Sequence, residues 1–125
     1  MRDRRFAMTD RLFVPRRSVP AEQLAAVEAG EIKGLVTVRT LMASSKMVML
    51  ESFREAGVTD PPHKHDDHET MCYLQSGKLR VFIGEESFDA EPGDSWFHPV
   101  GVMHYAEALE DSVQVEVKVP PVKTW

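Results

Sequence analysis

The chain has 125 residues, 42% hydrophobic and 28% charged, which suits one globular domain with one core and excludes a low-complexity polymer. Its formal net charge is −5, split into +4 over residues 1–17 and −9 over the rest, so the acidic body disfavours nucleic acid as a partner. No apolar run nears the ~20 residues of a membrane span, no signal-peptide core follows the basic start, and the single cysteine, Cys72, has no partner for an internal disulfide; the expectation is a cytoplasmic protein away from membranes.

Residues 1–17 read as a basic arm, with Arg2, Arg4, Arg5, Arg11, Arg16 and Arg17 against Asp3 and Asp10, and Met8 is a second candidate start. Residues 18–125 read as one domain. The stretch "SVPAEQLAAVEAG" (18–30) predicts a short helix, capped by Ser18, opened by Pro20 and stopped by Gly30, with Leu24 and Val27 on one face. After Gly34 the hydrophobic period becomes that of strands. These are expected at 35–41, 46–53, 70–76, 78–83, 86–90, 94–98, 103–109 and 112–119. Tight turns fall at Ser76-Gly77 and Gly84-Glu85. In the last strand Val113, Val115, Val117 and Val119 share one face, and Gln114, Glu116 and Lys118 the other. Pro61, Pro62, Pro92 and Pro99 punctuate strand ends. Such spacing predicts an all-β antiparallel sandwich or small barrel. Its open edges predict a homodimer, pairing through residues around 10–17 or 35–41.

One segment concentrates chemistry. "PPHKHDDHET" (61–70) holds three of the five histidines and three acidic residues. In an extended chain alternate side chains share a face, so His63 and His65 can reach one ion. Glu69 keeps the same parity and is available as a third ligand, whereas His68 has the opposite parity. A distant segment must complete the shell, from His98 or His104. Imidazoles with one carboxylate suit one divalent transition metal, Mn, Fe, Ni or Zn, rather than Ca or Mg. Asp66 and Asp67 read as turn residues and Cys72 as a buried strand residue. Trp96, Phe97, Phe82, Phe88, Met49 and Met71 read as core or pocket lining. Tyr73, Arg80 and Lys46 sit on strands flanking the site, and an inward-facing cation there, Arg80 or Lys46, would be placed to hold a substrate carboxylate.

Two motifs in order then resemble those of the cupins. Gly57, His63, His65, Glu69 and Gly77 follow the first cupin motif, with seven residues instead of six before the closing glycine. Gly93, Pro99, Gly101 and His104 follow the second, with Ala108 where an asparagine is usual. The resemblance covers roughly residues 45–125 and is greatest to the small single-domain KdgF-type cupins. It implies a double-stranded β-helix, the jelly-roll barrel, with one metal in its mouth held by His63, His65, Glu69 and His104. The extra residue before Gly77 leaves the last position open between Glu69, His68 and water.

The resemblance further implies a metal-dependent enzyme acting on a small oxygenated or carboxylated molecule such as a sugar acid. Either lyase/isomerase-type ring opening or dioxygenation would use such a site, with His98 or Tyr73 moving protons. The alternative is a non-catalytic cupin that binds or senses a small ligand.

Overall fold

The computed structural model describes residues 4–27 and 30–125, so Arg2 and Asp3 of the arm lie outside the described residues. Eleven strands are present among them. They are β1 (Glu22–Gln23), β2 (Ala26–Val27), β3 (Gly30–Glu31), β4 (Val36–Ala43), β5 (Val48–Arg54), β6 (Glu69–Ser76), β7 (Leu79–Ile83), β8 (Glu86–Ala90), β9 (Ser95–His98), β10 (His104–Ala108) and β11 (Ser112–Val119). A six-stranded sheet runs β1-β4-β5-β11-β6-β9, a three-stranded sheet runs β10-β7-β8, and β2-β3 form a small ribbon. Every pairing is antiparallel. The large and the three-stranded sheets form the walls of a jelly-roll barrel. Among the described residues no helix is long and apolar enough to cross a membrane.

The expected helix over 18–30 does not form. A single 3-10 turn at Arg16–Ser18 stands nearby, and residues 28 and 29 lie outside the described residues. Glu22 and Gln23 instead pair with Val38 and Thr37, the Leu24 amide donates to the Val36 carbonyl at 2.8 Å, and Ala26–Val27 pair with Gly30–Glu31. A helix of this length is marginal alone, and closing the edge of β4 satisfies backbone groups that the helix would leave exposed. Leu24 is buried as expected, but against strands.

The core is in two parts. Leu24, Ile32, Val36, Val38, Val48, Leu50 and Val58 pack as one cluster, with Phe6 and Trp125 packed on them. Cys72, Leu74, Leu79, Val81, Trp96 and Ala106 pack as the other. Leu50, Leu74 and Leu79 are essentially inaccessible, each worth about 1.5–3 kcal/mol of burial. Members of both clusters, together with polar side chains, line the cavity in which the site lies. Gly77 makes the turn from β6 to β7 with φ +90°, and a Cβ there would sit 2.3 Å from the Asp111 carbonyl oxygen. Only glycine fits that close approach.

Candidate metal centre

His63 and His104 come from the two separate motifs, and the backbone places them opposite each other. The His63 amide donates to the His104 carbonyl at 3.1 Å, and the His104 amide returns the bond at 2.8 Å. Directly opposed residues of an antiparallel pair project to the same side. The Asp60 amide extends the pairing to Ala106, and the Gly101 amide, at φ +75°, donates to the His65 carbonyl at 2.8 Å. The loop of the second motif is thereby fastened to the loop of the first.

The three histidines His63, His65 and His104 have ring nitrogens within 4.8 Å of one another. His63 Nδ1 lies 2.7 Å from the Pro61 carbonyl oxygen and His104 Nδ1 lies 3.2 Å from that of Val102. A carbonyl only accepts, so both Nδ1 atoms carry the proton and both Nε2 lone pairs are left for a cation. Burial, together with Lys118 and the neighbouring rings, lowers the pKa of His65 to about 3. Burial and His63 lower that of His104 to about 4. Both are therefore neutral, the form a metal requires. A set of imidazole nitrogen donors fits Mn, Fe, Ni or Zn and not the oxygen-loving Ca or Mg.

Glu69 is exposed on the outward side of β6, and Thr70 takes the inward place. The bend at residues 66–67 breaks the strand alternation on which its expected parity rests. His68 turns inward instead. It is 2% exposed, and its ring centroid stands 4.4 Å from that of His65. Its Nδ1 meets Asp67 Oδ1 at 2.8 Å, and Arg4 of the arm pairs with Asp67 at 2.9 Å. Although burial works the other way, the His68 bond and Arg4 hold the Asp67 carboxyl below its usual range. Asp67 is thus a tether between arm and loop, while Asp66 is solvated.

His98 ends β9 and faces the same cavity, stacked on His104 with ring centroids 3.9 Å apart. Burial, His104 and Arg54 lower its pKa to about 2. Tyr73 does not reach the site: it points outward from β6 and is 49% exposed. Arg80 pairs with Asp89 on the surface at 2.9 Å, and Lys46 is exposed. Met49, Met71, Phe97 and Phe88 are likewise exposed rather than core, whereas Trp96 lines the cavity. Burial pushes the Cys72 thiol well up, consistent with an inert strand residue.

The cavity is about 80 Å³. Beside the histidines it is lined by Arg54, Asp60, Gln114, Glu116 and Lys118. Arg54 is held by Asp60 Oδ2 and Gln114 Oε1, both at 2.9 Å. None of these five was singled out from the sequence as a site residue. Their signal was the polar triplet Gln114, Glu116 and Lys118 on alternate positions of β11, which becomes meaningful only once that face is known to be the inner one.

The sequence profile of the cupin domain matches residues 49–119. The chain is 32% identical to the oxalate decarboxylase OxdC of Bacillus subtilis over 93 residues, covering 70% of this chain and 24% of that protein. It is 32% identical to the pectin degradation protein KdgF of Dickeya dadantii over 65 residues, 51% of this chain and 59% of that one. The chain thus spans about a quarter and three fifths of the lengths of these two curated relatives. Among solved structures, KdgF from Halomonas sp. superposes with a TM-score of 0.66 at 26% identity, over 68% of this chain and 80% of that one. The polyketide cyclase RemF from Streptomyces resistomycificus superposes with a TM-score of 0.72 at 23% identity, over 94% and 85%, a likeness of fold. With two histidine segments, a jelly-roll barrel and a matching profile over more than half its length, this chain belongs to the cupin family.

Proposed function

We propose that this cupin is a metal-dependent enzyme carrying out lyase- or isomerase-type ring opening on a small oxygenated or carboxylated molecule such as a sugar acid, in the cytoplasm. The observation that carries the reading is an open triad: His63, His65 and His104 converge while Glu69 turns away. Three protein ligands leave positions for water or substrate, the pattern of catalytic rather than structural sites. The bound ion would supply Lewis-acid polarisation of a substrate carbonyl or hydroxyl. His98, stacked beside His104, is neutral and able to exchange a proton with the substrate, and an anion entering the cavity would raise its basicity. The likeness to KdgF supports the sugar-acid class; the same triad would equally serve iron(II) in a dioxygenase.

A second reading, a non-catalytic ligand-binding cupin, draws on the small cavity of about 80 Å³. Elemental analysis of the purified protein, followed by a screen of uronates, keto acids and oxygen consumption, separates the readings. The expected result is one transition metal per chain and a turnover lost in His104→Ala with the fold retained. A stoichiometric metal with no turnover in any class would favour the binding reading. We further propose that the chain acts as a homodimer, through the exposed row of Met49, Met71 and Phe97.

A further inference from the structure

We propose that Lys118 is the anchor for a substrate carboxylate, so that the cavity takes a small acid with one oxygen toward the histidine triad and its carboxylate on the Lys118 ammonium. This rests on the metal-dependent reading above. Lys118 projects inward from β11, is 6% exposed, and donates from Nζ to Thr124 Oγ1 at 3.4 Å. Among the described residues no carboxylate lies within 4.0 Å of it, while Arg54 is paired with Asp60. Glu116, the next inward residue along β11, accepts from Gln114 Nε2. A buried ammonium with one long bond to a hydroxyl is costly unless a partner arrives. The four charged side chains lining the cavity, Arg54, Lys118, Asp60 and Glu116, cancel. A divalent ion then makes the cavity net positive, which favours an anionic guest.

The position fits as well as the charge. Lys118 pairs with Thr70 across β6, and Thr70 pairs with His98 across β9, so the three stand in one row on the inner face. His98 in turn stacks on His104. The lysine charge reaches His65, His98 and His104, consistent with a shared cavity. The sequence suggested a cation, Arg80 or Lys46, for this role, and both face solvent.

The test uses cobalt(II)-loaded protein, whose visible bands report ligand entry at the ion. Glycolate and its neutral counterpart glycolamide are titrated into wild type, Lys118→Met and Lys118→Arg. Wild type is expected to prefer glycolate by about 10- to 100-fold, the range of a hydrogen bond to a charged group. Lys118→Met should lose that preference while cobalt uptake and glycolamide affinity stay unchanged, and Lys118→Arg should keep part of it. Equal affinities in wild type, or a preference that survives in Lys118→Met, would overturn the anchor and leave the metal reading standing. If wild type takes up no cobalt, the metal reading fails instead. The anchor is then decided by acetate titration of the metal-free proteins, read by the fluorescence of Trp96 and Trp125 in the cavity wall. A response in wild type that is absent from Lys118→Met supports it, and no difference overturns it.

Discussion

The buried histidines that could hold a metal ion also predict an acid sensitivity for this protein. An unfolded histidine titrates near 6.5, whereas the fold holds His65 at about 3, His104 at about 4 and His98 at about 2, chiefly by burial. Between those values and 6.5 the unfolded chain binds protons that the folded chain refuses. The metal-free protein therefore loses stability as the pH falls through 6.5 toward 4, and is insensitive to these groups above 7. Each histidine contributes at most about 1.4 kcal/mol per pH unit, less where solvent screens it. Urea midpoints of the metal-free protein at pH 7.5 and 5.0 check this: the midpoint should fall at 5.0. An unchanged or higher midpoint would show that these rings protonate freely in the folded state.

Strand β6 shows how one residue of register decides a ligand. Its inward positions are Thr70, Cys72 and Leu74, so Glu69, Met71 and Tyr73 face solvent. Replacing Glu69 with alanine should leave metal affinity unchanged, while His65→Ala should lower it by at least about 100-fold, as expected when a ligand rather than a supporting residue is lost. Calorimetric titration with zinc reads both; a comparable loss in Glu69→Ala would mean that the carboxylate swings inward on binding. The eight main strands were legible as short apolar-rich runs between turn residues, to within one or two residues at their ends, and the last also by its alternation. The two motifs gave the three histidines because their spacing is fixed by backbone pairing between His63 and His104. What alternation does not state is which face lies inside. In β11 the valines face outward and Gln114, Glu116 and Lys118 line the cavity, because a barrel built around a polar site inverts the usual rule. The Ala-rich stretch after Ser18 misled for a different reason: strand pairing with β4 overrode local helix propensity.

At the scale of the whole molecule, that inversion leaves an apolar outer wall. Met42, Met49, Val117, Met71 and Phe97 are successive partners across β4, β5, β11, β6 and β9. Met49 is 43%, Met71 65% and Phe97 39% exposed, a row that a monomer would leave in water. The arm borders this wall. The Thr9 amide donates to the Ala43 carbonyl at 2.8 Å, Arg16 grips Glu51 on the outer face at 2.7 Å, and Leu12 and Phe13 project into solvent. A sheet face roughly 25 Å on each side offers on the order of 600 Å², close to the ~800 Å² per partner of a stable interface once the arm is added. The proposed dimer would place a second copy of the same wall on this uncharged row, with the arm segment 10–17 at its rim. Of the other expected pairing segment, residues 35–41, the Thr37 and Val38 edge is already paired with β1 within this chain. Sedimentation velocity at tens of micromolar should show a dimer for wild type and a monomer for Met71→Lys, whose exposed site tolerates the charge without disturbing the cavity. A monomeric wild type, or a Met71→Lys variant that stays dimeric, would move the interface off this face.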